Sequence, residues 1–222
     1  MSFAPLTSLD RLTMVLLDRS CRLRLMLVCI VLSLAGCASR DNAAKVVSYD
    51  FGPGALQAPA ASLPLASALV LADLEAPAAL DSTAVLYRLA YADAQQPRAY
   101  AQARWSMVPA QLLRQRLRAY FGQSHLVLSP GERVAGAQPM VLRLELEEFC
   151  QVFERPDASV GLVRLRATAL QNTPQGERLL GQRSVVASRP APTADASGGV
   201  RALTAATDGA LLDIEQWLKT LR

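Results

Sequence analysis

The sequence predicts an α+β domain in which an antiparallel-rich sheet of about five to seven strands carries two amphipathic helices on one face. Three observations favour this fold class. Several stretches alternate apolar and polar residues between turn-forming residues, which is typical of strands. One helical pattern interrupts these strands in mid-chain, and a longer one ends the chain at Arg222. Strands and helices that do not alternate regularly favour α+β over a parallel α/β sheet.

The first 36 residues have the pattern of a signal peptide that is removed. An apolar run, Leu25–Leu34, follows three arginines and precedes the small residues Ala35 and Gly36. The run is too short to cross a membrane, since a spanning helix needs about 20 apolar residues. A basic region, a short apolar region and a small-residue cleavage site are typical of secretion signals. Met14 is an alternative start to Met1 and would leave a signal of ordinary length.

The end of this signal, Leu34-Ala35-Gly36-Cys37, resembles the bacterial lipobox. That resemblance implies cleavage before Cys37 and attachment of lipid, including palmitate, to this cysteine. Two or more acyl chains are needed for lasting attachment to a bilayer. Ala38 stands where an aspartate would signal retention at the inner membrane, so we expect an outer-membrane lipoprotein that faces the periplasm of a Gram-negative bacterium. Residues 37–47 are then a flexible tether, and residues 48–222 a single periplasmic domain.

The first half of this domain is predicted to contain short strands and one helix. Expected strands lie at 48–52, 68–77, 84–92, 97–105 and near 125–129, with an Ala/Pro-rich loop at 55–67 and a hairpin tip at 93–96. The helix follows Trp105. Ser106 is expected to cap it, Pro109 suits its first turn, and Gly122 ends it.

The second half begins with three longer strands, expected at 139–153, 159–172 and 177–188. A Pro/Ala/Gly-rich stretch at 189–199 is interpreted as a loop. Apolar residues then recur at helical spacing from Val200 to Leu221, which predicts a long amphipathic helix.

The residue types do not favour catalysis, a cofactor or a metal. His125 is the only histidine, and no nucleophile or zinc-ligand pattern surrounds it. Cys150 is the only thiol left after Cys37 in the mature chain, so we expect no disulfide and a small apolar residue within a strand. Glu145 and Glu147 alternate with leucines and are expected on the solvent face, together with Glu148. The balanced charge of the mature chain does not favour nucleic acid as a partner.

Two features allow a binding role beside a structural one. Arg114, Arg116 and Arg118 form a basic strip that is typical of a solvated helix surface, and the alternative is contact with lipid phosphates or an acidic partner. Trp105 stands at a strand-to-helix corner, where tryptophan is usually core. Its alternative role is to anchor a partner.

The order of motifs along the mature chain resembles that of the ABC-type transport auxiliary lipoproteins, relatives of the C component of the paraquat-inducible system. The matching features are Tyr49-Asp50-Phe51, Arg104-Trp105, the helix from Met107 to Phe121 and the strand from Val141 to Phe153. The chain departs from the family pattern at residues 78–82, where many members carry a segment ending in Asp-Arg.

The resemblance implies a non-enzymatic auxiliary subunit of an MCE/ABC-type phospholipid transport system. Its expected partners are an MCE-domain tunnel protein with an ABC permease and ATPase, the membrane, phospholipid and further copies of itself. An alternative is a lipoprotein that scaffolds or activates another envelope machine, for cell-wall synthesis or lipopolysaccharide export. A third reading, a lipid-anchored hydrolase, would require His125 or a pair of carboxylates in a cleft.

Overall fold

The long alternating stretches of the second half form three neighbouring strands of one sheet in the computed structural model. The structure describes residues 45–54, 68–135 and 138–221. The predicted signal with Met14, the lipidation site Cys37, the tether up to residue 44 and the loop 55–67 lie outside the described residues. The strands are β1 (Val47–Tyr49), β2 (Leu69–Leu71), β3 (Ala84–Leu89), β4 (Asp93–Trp105), β5 (Val127–Leu128), β6 (Met140–Arg155), β7 (Ala158–Thr173) and β8 (Gly176–Pro190), and the helices are α1 (Pro109–Phe121) and α2 (Ala196–Lys219).

All eight strands belong to one sheet, which confirms the α+β class with a slightly higher strand count than expected. Strand β6 is the central strand of this sheet. One edge of β6 pairs antiparallel with β7, which pairs antiparallel with β8. Its other edge pairs in parallel with β2 near Met140 and with β3 near Gln151. The sheet continues antiparallel from β3 to β4 and in parallel from β4 to β1, while β5 lies parallel to β2. The long pairings are therefore antiparallel, and the parallel ones are short.

A β-bulge between Leu146 and Glu148 sets which side chains of β6 face inward. Leu142, Leu144 and Leu146 are buried before it, and Phe149 is buried after it, because the extra residue shifts the alternation. Both glutamates at the bulge remain on the outer face. Arg166 pairs with Glu145 and Glu147, and Arg164 with Glu148. The interpretation of these acids as a solvent-facing row is confirmed.

Both helices pack on the opposite face of the sheet. Leu113 and Phe121 of α1 share a buried cluster with Leu203 and Leu211 of α2 and with Leu144 of β6. A smaller apolar cluster gathers around β2 and β5.

The helix boundaries correct two predictions. Ser106 does not cap α1: the N-cap is Val108, no side chain caps it, and Pro109 is the first helical residue. Proline suits that position because its fixed φ is helical and its missing N–H would have no partner there. Ser106 instead donates its backbone N–H to the carbonyl of Tyr49 at 2.7 Å.

Helix α2 begins at Ala196, inside the stretch predicted as loop, because the Asp195 carboxylate accepts the N–H of Gly198 at 2.7 Å. The hairpin of β3 and β4 also turns earlier than predicted. Its tip is at 90–92, where Ala92 donates its N–H to the carbonyl of Leu89, and Asp93 already belongs to β4. Among the described residues, no helix combines the length and the apolar character that crossing a membrane requires.

Candidate functional site at the first strand

Strand β1 places the Tyr49-Asp50-Phe51 motif directly against the end of β4. The register pairs Val47 with Ala103 and Tyr49 with Trp105. Tyr49 also accepts a hydrogen bond from the N–H of Ser106. Residues that lie about fifty positions apart in the sequence are therefore neighbours where the chain enters the sheet.

A tight turn follows β1 at residues 50–54. The Asp50 carboxylate accepts the N–H of Gly52 at 2.7 Å, which is a side-chain-closed turn. Gly52 and Gly54 have φ values of 65° and 66°, in the left-handed region that favours glycine. The interpretation of Gly52-Pro53-Gly54 as a turn is confirmed.

Aromatic rings attach this turn to the core. Phe51 contacts Trp105 edge-on at 5.7 Å between ring centroids, and Trp105 contacts Phe149 at 5.4 Å. Trp105 itself is 2% exposed. The structure thus places Trp105 in the core beneath the turn, as expected for a tryptophan at a strand-to-helix corner. A contribution of Trp105 to partner contact stays a prediction.

Two clefts flank the turn. The larger, of about 530 Å³, lies between β1 and α2 and is called the β1–α2 cleft below. Its walls are formed by Ser48, Tyr49, Asp50, Phe51, Gly52, Ser106, Val200, Arg201, Thr204, Ala205 and Asp208. The smaller, of about 180 Å³, opens on the other side of the turn, against α1. The lining of the larger cleft combines hydroxyl and charged side chains with the apolar surfaces of Phe51, Val200 and Ala205, a mixture that suits the binding of a ligand or a partner.

An ion pair joins the two helices beneath the turn. Arg116 donates from Nε and from one terminal nitrogen to the two carboxylate oxygens of Asp208, both at 2.7 Å. The hydrogen bonds that Arg116 donates to the Asp208 carboxylate raise the pKa of Arg116. A β-carbon on Gly54 would lie 1.9 Å from the Arg116 guanidinium, so a side chain at position 54 would displace the guanidinium. Arg116 thereby connects α1, α2 and the turn.

The other two arginines of the predicted strip lie apart from this site. Arg114 donates to Asp73 at 2.9 Å, and Arg118 donates to Ser129 at 3.5 Å, both at exposed positions. The three residues therefore do not form one uniform surface, because Arg116 is engaged between the helices. Contact of Arg114 or Arg118 with lipid phosphates or a partner stays a prediction.

Buried titratable groups lie elsewhere in the domain. Burial raises the pKa of the Cys150 thiol to about 11, with Glu148 adding to the effect. Cys150 is thus a buried free thiol inside a strand, as expected. His125 is also buried, with Nδ1 at 2.9 Å from the Ser124 hydroxyl and its ring against Phe121. Within the described ranges, no group of three or more histidine, cysteine, aspartate or glutamate side chains is arranged to hold a metal ion.

The chain belongs to the ABC-type transport auxiliary lipoproteins, because the model of that family's lipoprotein component matches residues 49–215. The matched segment begins at Tyr49, within the site described above. Family membership indicates a membrane-anchored envelope protein that is associated with an ABC-type transport system, and the family is not an enzyme family.

Solved structures share the fold. Protein XCC0632 from Xanthomonas campestris, of the DUF330 family, is 18% identical with a TM-score of 0.62, over 79% of this chain and 96% of that one. A second, uncharacterized protein is 14% identical with a TM-score of 0.52, over 78% of this chain and 99% of that one. At these identities the likeness extends to the fold alone. No curated protein sequence matches this chain.

Sequence reasoning missed the part of the site that α2 supplies. Val200, Thr204 and Asp208 recur every four residues and line the β1–α2 cleft from one side. Helical spacing predicts that α2 is amphipathic, but it does not predict which of its residues border a cleft. The polar members Thr204 and Asp208 at the margin of that stripe are the signal that marks the edge.

Proposed function

We propose that this protein is the auxiliary lipoprotein of an MCE/ABC-type phospholipid transport system. It is anchored in the outer membrane through acylated Cys37 and faces the periplasm. There it docks to the MCE-domain tunnel protein and so connects the tunnel to the membrane. Its contribution is binding and positioning, with no catalytic step of its own.

Membership of the ABC-type transport auxiliary lipoprotein family is the observation that carries this proposal. The geometry at β1 supports it. The described domain begins with β1, and residues of β1 line the β1–α2 cleft. Ten residue steps lead from Cys37 to Val47 and would span at most about 35 Å when fully extended. A subunit held on so short a tether meets its partner close to the membrane.

The test is recovery of the transport machinery with the tagged protein. The full-length chain carries a C-terminal affinity tag, envelopes are solubilised in mild detergent, and the proteins that copurify are identified by mass spectrometry. The proposal expects an MCE-domain protein together with its permease and ATPase. A Cys37→Ser variant should lose the outer-membrane location while its domain remains folded.

Other results would overturn the proposal in distinct ways. Recovery of a cell-wall synthase or of lipopolysaccharide-export components would assign the lipoprotein to a different envelope machine. Recovery of an ABC permease and ATPase without an MCE-domain protein would keep the family role and reject the phospholipid tunnel. A Cys37→Ser variant that still fractionates with the outer membrane would reject the lipid anchor.

A further inference from the structure

The outer edge of β1 borders the β1–α2 cleft. The carbonyl of Tyr49 faces β4, since it accepts the N–H of Ser106. Backbone groups alternate sides along a strand, so the N–H and C=O of Ser48 point the opposite way, away from β4. Ser48 is exposed and lines the cleft, and among the described residues β4 is the only strand that pairs with β1. A free strand edge of this kind is a template for another extended segment.

The opposite wall of the cleft, formed by α2, is long enough to receive such a segment and leaves space for it. Arg201, Thr204, Ala205 and Asp208 lie along one side of α2 and face the cleft. Seven helical steps from Arg201 to Asp208 cover about 10 Å, which is also about the length of three strand residues. Thr204 and Ala205 have small side chains, and this leaves space between the helix and β1. The groove therefore fits three to four residues in extended conformation.

The groove is charged differently at its two ends. At the turn end the Asp50 carboxylate lies at an exposed position and accepts the N–H of Gly52, while the Asp208 carboxylate is paired with Arg116. The Arg201 guanidinium lies towards the start of α2, where it donates to Ser197 at 2.7 Å. A segment with a basic residue at the turn end and an acidic residue near Arg201 complements this distribution.

We infer that the β1–α2 cleft binds an extended peptide segment of the transport partner, which adds a strand to the outer edge of β1. The inference rests on the proposed function for the existence of that partner, and it names the docking surface. A polypeptide backbone supplies an N–H and a C=O at strand spacing and can hydrogen-bond to the backbone C=O and N–H of Ser48. An acyl chain would leave both of these Ser48 groups unpaired. The occupant is therefore a polypeptide with small or apolar residues towards Thr204 and Ala205.

The experiment is site-specific photocrosslinking in the full-length, lipidated protein. Benzoyl-phenylalanine replaces Ala205 inside the cleft or, as a matched control, Gln216, which is exposed on α2 outside the cleft. Each probe is combined with Ser48→Pro or Ser48→Ala. Proline removes the outward N–H and leaves the pairing with β4 intact, because that N–H does not face β4. Alanine changes the side chain and keeps the N–H.

The inference expects a crosslink from position 205, and not from 216, to one short segment of a copurifying transport component. Ser48→Pro should lower the yield of this crosslink roughly fivefold to tenfold, because it removes one backbone hydrogen bond between β1 and the bound segment. Ser48→Ala should leave the yield within about twofold. Arg201→Glu should also lower it, because it reverses the charge at one end of the groove.

Several outcomes would overturn the inference. A crosslink from position 205 to phospholipid would make the cleft a lipid site. A crosslink within the same chain, or to a second copy, would assign the cleft to this protein alone. No crosslink, with the transport components still copurifying, would place docking elsewhere and leave the proposed function standing. If wild-type protein recovers no transport component, the proposed function itself fails and the inference with it.

Discussion

Helix α2 contacts the sheet in two different ways, at β7 and at β1. At β7 the contact is as close as backbone allows: a β-carbon on Gly161 would lie 2.4 Å from the backbone nitrogen of Leu203. At β1 the same helix stands off and leaves a cleft of about 530 Å³ lined by Thr204 and Ala205. Small residues therefore have opposite effects at these two contacts. Gly161 lets β7 approach α2 closely, whereas Thr204 and Ala205 leave a cleft between α2 and β1. The close contact at β7 holds α2 in place, and the open side at β1 is the surface left for binding.

The aromatic support of β1 is predicted to have the largest effect on stability. Trp105→Ala should lower the free energy of unfolding by about 3–5 kcal/mol, because it removes a buried ring that packs on Phe51 and Phe149. Trp105→Phe should cost clearly less. Urea denaturation followed by circular dichroism measures both. If Trp105→Ala kept wild-type stability and instead abolished partner recovery, Trp105 would be a partner anchor rather than a core residue.

The close contact at β7 can be broken with a single methyl group. Gly161→Ala should cost about 2–3 kcal/mol, since the new β-carbon meets the backbone of α2 and the helix must move. Gly181→Ala is the control, because its β-carbon would meet only the side-chain ends of Leu221 and Trp217, at 3.2 and 3.3 Å. It should cost less than about 1 kcal/mol. Equal effects of the two substitutions in thermal unfolding would show that the close backbone approach does not fix α2.

The ion pair beneath the turn should have an intermediate effect. Arg116→Met should cost about 1–2 kcal/mol, because a guanidinium with a 15% exposed side chain loses two charged hydrogen bonds to Asp208. Arg114→Met should change stability by no more than about 0.5 kcal/mol, since its pair with Asp73 is exposed. Chemical denaturation of both variants, with Asp208→Asn as a check on the pair, measures the difference. Equal costs would mean that the pair does not join the helices.

The smallest effect is expected at alkaline pH, from the buried thiol of Cys150. The pKa of Cys150 is raised to about 11 in the folded protein, so the unfolded chain loses its thiol proton first as the pH rises above 9. The native state then binds more protons, and stability falls with pH. Relative to Cys150→Ala, the wild type should lose about 1 kcal/mol between pH 9 and 10. Denaturation midpoints that run parallel in the two proteins over this range would contradict the raised pKa.

The elements that the sequence predicted well are those with local patterns. Strands β6, β7 and β8 and helix α2 were placed to within a few residues, because alternation and helical spacing are visible over short windows. The errors have local physical causes. Asp195 caps α2 before its apolar stripe begins, Pro109 starts α1 without Ser106, and a turn at 90–92 precedes the polar residues of β4. In each case a single hydrogen bond or a fixed φ outweighed composition.

The sequence by itself determined the class of fold, the family to which the chain belongs and the motif around Tyr49. These depend on periodicity and on the order of short patterns along the chain. Only the tertiary structure decided that Ser48 lines a cleft against α2 and that Arg116 reaches Asp208, 92 residues away. The reason is physical: a local pattern specifies which side of a helix or strand is apolar. Which distant element that side meets, and whether a cleft remains there, depends on how all the elements pack together.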